Sequence, residues 1–458
     1  NVTIEDGTIN GTSTGVRAGE PGKNINQPAL SVSNVAITNE TVADYDNVTQ
    51  STLTINTTAA SEHDGVTLAS TTTGAVVVNG GTDNNTITTG GGADTVNGGA
   101  GADSISGNAA SDILTGGTGN DTIDGGAGLD TAVFSGARSA YTITWNGTTA
   151  TVTGPDGTDT VTGVGKLSFD GDEDIFLVSA TGDYATIQSG IDAAGTGDTV
   201  LVAAGTYTEN VTVNKSVTIL GANAGIAGDV TRGPESTLNG NITIAANGIN
   251  VDGLHFNGGA SAIRGESGAN AYDNLTIRNN LIENTTDSAI RLGLGSGGGV
   301  GSDNWVIANN KISDIIGNNL TGMVLFNVDG LTLTGNVIEH DLQTSTGRRG
   351  INLDGVLNAT VTGNTVNMGL ASPADATVAS AASPWAIQIS MSDRAVENVN
   401  VTGNTVGGAS SGIVGLSQRS MVNVEITGNT VNNVVSGIVL NSGGVAPVVS
   451  GVTMDVDV

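Results

Sequence analysis

Six acidic or amide side chains stand nine residues apart between positions 80 and 133: Asn85, Asp94, Asp103, Asp112, Asp121 and Asp130. Written in nines from Gly80, the stretch reads GGTDNNTIT, TGGGADTVN, GGAGADSIS, GNAASDILT, GGTGNDTID and GGAGLDTAV, with no insertion. The sixth place carries the carboxylate or amide. The eighth carries Ile87, Val96, Ile105, Leu114, Ile123 and finally Ala132. A flexible Gly/Asp linker would not hold an apolar residue eight places into unit after unit. Aspartates at a fixed period supply hard, charged oxygens of the kind Ca²⁺ takes, about six to eight of them at roughly 2.3–2.6 Å.

Each place has a physical reason. Glycine allows turns that a side chain would forbid, and lets backbone carbonyls crowd around an ion. The eighth residue opens a very short strand and points into a core. The candidate metal-binding residues are Asp94, Asp103, Asp112, Asp121 and Asp130, with Asn85 and with Gly90, Gly92, Gly99, Gly101, Gly117 and Gly119. The stretch resembles the RTX (repeats-in-toxin, haemolysin-type) family, whose nonapeptide builds a calcium-binding parallel β-roll. That resemblance implies half a turn per unit, Ca²⁺ between stacked loops, and export by type I secretion. Unit four departs from the pattern, with Asn108, Ala109 and Ala110 where glycines are expected, and unit one has Asn85 for Asp. Ion sites beside these two units are expected to be weaker or missing.

The rest of the composition agrees with a solenoid. The chain has 458 residues, 70 of them Gly, with 3% aromatics and no Cys. A single compact core rarely grows that large, and the Val, Ile, Thr, Asn and Gly bias suits strands and turns. Disulfides are excluded. The net charge is −30, which excludes nucleic acid and anionic membrane as partners, since both need basic patches. Between Lys23 and Arg138 there are twelve Asp or Glu and no Lys or Arg. Such a segment repels itself until cations close it, which points to millimolar calcium outside cells. No apolar run is long enough to span a membrane. No secretory leader is visible, and Asn1-Val2-Thr3-Ile4 already reads as strand, as in a piece of something longer. The acidic, apolar end at 454–458 reads either as an export signal or as a last strand.

Four regions follow. Residues 1–79 read as β-rich coils stacking onto the roll of 80–133; His63-Asp64 there reads as a surface turn. Residues 134–182 read as a hairpin cap, with Asn146-Gly147 a type I′ turn signal. Asp170, Asp172 and Asp174 alternate like the start of an EF-hand loop, but Ile175 and Thr181 occupy the places of its Gly and Glu. Residues 183–458 read as a right-handed parallel β-helix. Ile187, Ile191 and Ala194 share one face of a short helix that Asp183 can cap, and this order resembles the entry coil of pectate-lyase-type β-helices. One strand then recurs before Asn280, Asn310, Asn336, Asn364, Asn404 and Asn429, and a second at 289–290, 322–323, 350–351, 386–387, 412–413 and 437–438. Stacking buries each coil's open face, and the asparagines are expected to form an amide ladder.

The fold class is therefore all-β: a β-solenoid made of a calcium-binding parallel β-roll and a right-handed parallel β-helix. Catalysis has weaker support. Glu339, His340, Asp341, Arg348, Arg349 and Asp354 cluster over two coils, and Arg264, Arg278 and Arg291 could form a column. Of these, His340, Arg348, Arg349 and Asp354 are the candidates for acid–base work on an acidic polysaccharide; the plainer reading is solvated charges on turns. The arginine-proline arrangement of pectate lyases and the Tyr-Gly-x-Asp-Pro-His pattern of alginate epimerases are missing. Two functions remain in view. One is a calcium-dependent structural or adhesive protein of a bacterial surface, partnered by itself, by neighbouring surface proteins or by polysaccharide. The other is a secreted polysaccharide lyase or epimerase, with a phage-like or sugar-binding role behind both.

Overall fold

A computed structural model describes residues 2–10, 30–38, 41–43, 53–56, 67–69, 74–82, 84–171, 173–265, 272–293, 301–316, 321–340, 348–369, 384–391, 396–417, 421–442, 448–450 and 453–455. Nearly all of them are strand or turn. They fall into two compact units, 1–203 and 204–458. His63-Asp64, Asp172 and Asp341 lie outside the described residues.

The first unit is a stack of flattened coils. One wall runs Val2–Asn10, Leu30–Thr38, Leu53–Asn56, Val76–Gly81, Thr95–Ala100, Ile113–Thr118, Thr131–Ala137 and Lys166–Asp170, each strand parallel to the next. The facing wall runs Thr41–Ala43, Thr67–Ala69, Thr86–Thr88, Ser104–Ser106, Thr122–Asp124 and Gly157–Thr162, again parallel. Equivalent residues in neighbouring roll coils are 18 apart, as Val96 opposite Leu114 and Ile105 opposite Ile123 show. Two nonapeptides thus make one coil. The eighth-place side chains Ile87, Val96, Ile105, Leu114, Ile123 and Ala132 all lie in the core. Each of the larger ones contributes about 1.5–3 kcal/mol by burial, but only once a neighbouring coil covers it.

Residues 142–162 form an antiparallel meander. Thr142–Trp145 pairs with Thr149–Gly154, which pairs with Gly157–Thr162. Its turn is not type I′: Gly147 has positive φ, but Asn146 does not. Instead the Asn146 carboxamide accepts the N–H groups of Thr148 and Thr149, at 3.0 and 2.8 Å. Phe134, Tyr141 and Phe169 pack ring against ring beside it, with centroids 5.1–5.7 Å apart. The helix Ile187–Ala193 packs on Ile175–Val178 and Thr199–Val202 within this first unit. Its cap is Thr186 rather than Asp183, in a reciprocal box with Ser189.

The second unit has three strands per coil where two recurrences were legible. The first face begins at Thr218–Leu220 and continues through Asn250–Asp252, Thr276–Arg278, Ser302–Ala308, Val328–Thr334, Leu357–Thr362, Val396–Thr402, Met421–Thr427 and Val448–Ser450. Another face includes Ile263–Gly265, Ile290–Leu292, Thr321–Phe326, Arg349–Asp354 and Trp385–Met391. As far as Thr365–Asn367 the face between them is made of two- and three-residue strands such as Leu281–Glu283, Lys311–Ile312 and Val337–Glu339; beyond it the long strands Thr405–Ser417 and Thr430–Ser442 serve both faces. Each of these buries a single apolar side chain: Ile282, Ile312 or Ile338. One buried residue per coil leaves almost no pattern to find.

The asparagine ladder forms as the spacing implies. The backbone N–H and the carboxamide of Asn310 both donate to Asn336 Oδ1, at 3.1 and 2.9 Å. The same pair of bonds joins 280 to 310, 336 to 364, 364 to 404 and 404 to 429. The residue before each ladder member takes positive φ, as Asn or Gly: 279, 309, 335, 363, 403 and 428. A second, exposed row also exists, in which Asn398 donates to Asn358 (2.8 Å) and Asn423 to Asn398 (3.0 Å). Replacing Asn336 by Ala strands the Asn310 donors and the Ile307 carbonyl that Asn336 serves. The expected loss is about 3 kcal/mol, from buried polar groups left without partners. Denaturant unfolding of the second unit measures it, and Asn358→Ala, on the exposed row, should lose less than a third as much.

Candidate metal centre

The sixth-place side chains form two columns, one on each edge of the roll. On one edge Asp94 Oδ1 accepts the Val76 N–H (2.6 Å), Asp112 that of Asp94 (2.7 Å) and Asp130 that of Asp112 (2.7 Å). On the other, Asp103 Oδ1 accepts from the N–H and the carboxamide of Asn85 (2.7 and 3.0 Å), and Asp121 from the Asp103 N–H (2.8 Å). One oxygen of each carboxylate is thus used up in holding the previous coil. The other, Oδ2, is buried and meets no donor in Asp94, Asp103, Asp112, Asp121 and Asp130 alike. A buried charged oxygen without a partner is costly, and here the defect repeats five times in register.

The free oxygens share their space with backbone carbonyls. A Cβ added to Gly98 would collide with Asp103 Oδ2 and stand 2.6 Å from the Gly116 carbonyl oxygen. One added to Gly107 would collide with Asp112 Oδ2 and stand 2.7 Å from the Gly125 oxygen. Glycine therefore keeps a small cradle open, walled by carboxylate and carbonyl oxygen. Oxygens facing one another call for a hard cation, and the donor set fits Ca²⁺. Among the described residues no three His, Asp or Glu side chains converge on one point, so backbone oxygens would have to complete any shell.

Electrostatics give the same picture. Burial, and then the neighbouring carboxylates Asp94 and Asp130, push the Asp112 carboxyl up to about 7. Burial likewise raises Asp94, Asp103, Asp121 and Asp130 above the usual carboxylate range. The fold holds these groups where their charge is penalised.

The turn glycines behave unevenly. Gly99, Gly101, Gly117 and Gly119 take positive φ, whereas Gly90 and Gly92 do not. Unit four keeps the turn despite its substitutions, with Asn108 at φ 67° and Ala110 at φ 75°. Left-handed backbone at Ala110 costs about 1–2 kcal/mol. Sequence inspection missed Asp159, which continues the second column by accepting the Asp121 N–H at 2.8 Å. Two of the EF-like aspartates have partners within the first unit. Asp170 accepts the Gly136 N–H at 2.7 Å, and Asp174 pairs with Lys166.

The catalytic candidates are scattered in environment. His340 is buried, with neither ring nitrogen in a well-formed hydrogen bond, and burial together with Arg348 pushes its pKa down to about 4. Arg348 and Asp354 are also buried, so these three are not solvated charges on turns. The Arg349 guanidinium lies over the Trp385 ring, 5.4 Å from its centroid. Glu339 pairs with Lys311 at 3.3 Å, and both line a depression of about 440 Å³ with Glu283, Ser313, Asp314 and His340. Of the arginine column, Arg264 and Arg291 do stand in register. Arg278 belongs to another face, where it pairs with Asp252 at 2.8 Å. No helix among the described residues is long and apolar enough to cross a membrane.

Comparison with known proteins agrees with both repeat systems. The family model for the RTX calcium-binding nonapeptide repeat matches residues 77–105 and 106–132, and that for the right-handed beta helix region matches 269–453. A cell surface glycoprotein of Methanothermus fervidus is 35% identical over 103 residues, which is 22% of this chain and 16% of that protein. The chain thus spans under a fifth of the length of that curated relative. Among solved structures, a pectate lyase shares 14% identity with a TM-score of 0.38, over 61% of this chain and 78% of its own. The pectin methylesterase of Aspergillus niger shares 13% with a TM-score of 0.32, over 61% and 84%.

The raised carboxyls fix the sign of a pH effect. A group whose folded pKa is raised stabilises the fold below its ordinary range, near 4, and loses that contribution as pH rises through the folded value. For Asp112 the loss therefore spans about 4 to about 7. In EGTA the first unit should melt at a lower temperature at pH 8 than at pH 5, and Asp112→Asn should flatten the difference. A higher melting temperature at pH 8 would contradict the burial of these groups.

Proposed function

We propose that this chain, which carries RTX calcium-binding repeats and a right-handed β-helix region, is a calcium-stiffened structural or adhesive component of a cell surface. The observation that carries this reading is the five buried, donorless aspartate oxygens in the two columns of the roll. Calcium between successive loops would neutralise them, with Asp94, Asp103, Asp112, Asp121 and Asp130 as charged ligands. Asn85 would be a neutral one, and backbone oxygens around Gly98–Gly101 and Gly116–Gly119 would complete the shell. Millimolar calcium is an extracellular condition, and the relative matched over 103 residues is a cell surface glycoprotein. Partners in this reading are further copies of the chain, neighbouring surface proteins or surface polysaccharide.

A second reading, a lyase or epimerase acting on acidic polysaccharide, has one observation in its favour. Buried His340 stands beside Arg348 at a depression that also holds Glu339 and Lys311. Incubation with alginate or pectate and Ca²⁺, read by the absorbance of unsaturated products, separates the two. No product is expected on the structural reading; product lost in Arg348→Ala would reverse it.

Calorimetry tests the main proposal. Each ion at a hundred times its Kd adds about 2.7 kcal/mol to the folded state, so several sites should raise the melting temperature of the first unit by well over 10 °C in 1 mM Ca²⁺ relative to EGTA. Asp103→Asn combined with Asp121→Asn, which strips one edge of the roll, should remove about half of that rise. Identical melting in calcium and chelator would end the proposal. Electron microscopy of the same two samples reports whether calcium also orders chain on chain.

A further inference from the structure

Sixteen Asn-x-Ser/Thr triplets with no proline at the middle place occur in the chain, and ten lie wholly within the described residues. Such a triplet is the acceptor pattern for an N-linked glycan, but the fold disqualifies most of the ten. The carboxamide must offer a free nitrogen, and the hydroxyl of the third residue must lie against it. In three triplets that hydroxyl donates to the carboxamide oxygen: Thr148 to Asn146 at 3.0 Å, Thr243 to Asn241 at 3.3 Å, and Thr402 to Asn400. Asn241 is buried, and its Nδ2 already donates to Asn210 at 2.7 Å. Asn400 stands inside the strand Val396–Thr402, which is paired on both sides. A backbone held by two neighbours cannot wrap into a transferase cleft without breaking those ladders.

Asn146 meets each requirement. It sits at the tip of the hairpin that joins Thr142–Trp145 to Thr149–Gly154. Asn146 and Thr148 are exposed, with Ala203 lying behind Gly147 between them. Its Oδ1 takes three donors: the Thr148 N–H, the Thr149 N–H and the Thr148 hydroxyl, at 3.0, 2.8 and 3.0 Å. No described residue accepts from its Nδ2, which keeps both of its N–H bonds for other partners. The crowded oxygen matters to the nitrogen. An amide nitrogen is a poor nucleophile until it sheds a proton, and the charge then gathers on the oxygen. Three donors already aimed at Oδ1 stabilise that charge as it develops.

We infer that Asn146 is a glycosylation site, whose Nδ2 takes a glycan from a polyprenyl diphosphate donor under an oligosaccharyltransferase. The new bond joins Nδ2 to the anomeric carbon of the first sugar. The bond from that carbon to the diphosphate oxygen breaks, and its electron pair leaves with the lipid diphosphate. One Nδ2 proton passes to a base of the transferase. Oδ1 keeps its donors throughout, so the hairpin need not open. The competing fate of this carboxamide is attack by the Gly147 nitrogen on its carbon with loss of ammonia, which hydrolysis turns into aspartate. The site goes beyond the calcium-stiffened role and does not depend on any ion.

The folded full chain is incubated with an oligosaccharyltransferase that reads Asn-x-Ser/Thr and with a synthetic polyprenyl diphosphate oligosaccharide, then digested and mapped by mass spectrometry. The peptide bearing Asn146 should carry the glycan, and those bearing Asn84, Asn120 and Asn241 should stay bare. A digest made before the reaction is the reference: it frees every triplet, and several should then be modified. On the folded chain Thr148→Ser should keep the adduct and Thr148→Ala should lose it, both melting as wild type does. Asn146 left bare in the folded wild type while the digest is modified overturns the site, and so does its conversion to aspartate alone. Wild type therefore decides even if a variant fails to fold. Neither result touches the calcium reading, which calorimetry decides separately.

Discussion

A coil that repeats must hand its polar groups to the next coil in the same way every time, and here one bond does so throughout. A side-chain oxygen accepts the backbone N–H of the equivalent residue one coil earlier. Aspartate does this in the first unit, from Asp94 N–H to Asp112 and from Asp103 N–H to Asp121. Asparagine does it in the second, from Asn280 N–H to Asn310 and onward to Asn429. The difference between the two units lies in the atom left over. An amide's second atom is a donor, and Asn310 Nδ2 satisfies both the next ladder oxygen and the Ile277 carbonyl. A carboxylate's second atom is another acceptor, and in the five roll aspartates no donor meets it in hydrogen-bond geometry. The amide column closes by itself, whereas the carboxylate column is incomplete without a positive charge.

That contrast ties composition to behaviour. The lysine- and arginine-free stretch of 24–137 contains every contiguous nonapeptide, so no side chain there can stand in for a metal. On the calcium reading proposed above, stability of the roll and calcium occupancy become a single quantity. The second unit carries ten of the fourteen basic residues between 215 and 419, and its ladder is neutral. Its ladder amides satisfy one another without an added charge. The two repeat systems thus differ in charge: one stacks carboxylates and the other stacks neutral amides.

Much of this was legible in the order of residues, and the failures have physical causes. A period of nine, with one side chain inward per half coil, survives any reading because every unit repeats the same constraint. The asparagine spacing was equally plain, although the gaps vary from 25 to 40 residues, since the turn and not the loop length is conserved by packing. The middle face of the second unit escaped notice because a strand such as Lys311–Ile312 buries only Ile312. Asp159 escaped because a hairpin displaced the strand Gly157–Thr162 from the nine-residue period while leaving it in register with Thr122–Asp124. Burial of His340 and Arg348 could not be read at all, because it depends on what lies over a turn and not on the turn's own residues.

The ladder bonds also have a direction. In both units the oxygen belongs to the later coil and the N–H to the earlier one, without exception along either column. A polypeptide delivered amino end first therefore always trails one unsealed loop, whose amide awaits a residue that has not yet emerged. Growth of the ordered stack behaves like a ratchet that advances one coil per side chain received. Among the described residues the last acceptors along these columns are Asp159 in the roll and Asn429 in the helix.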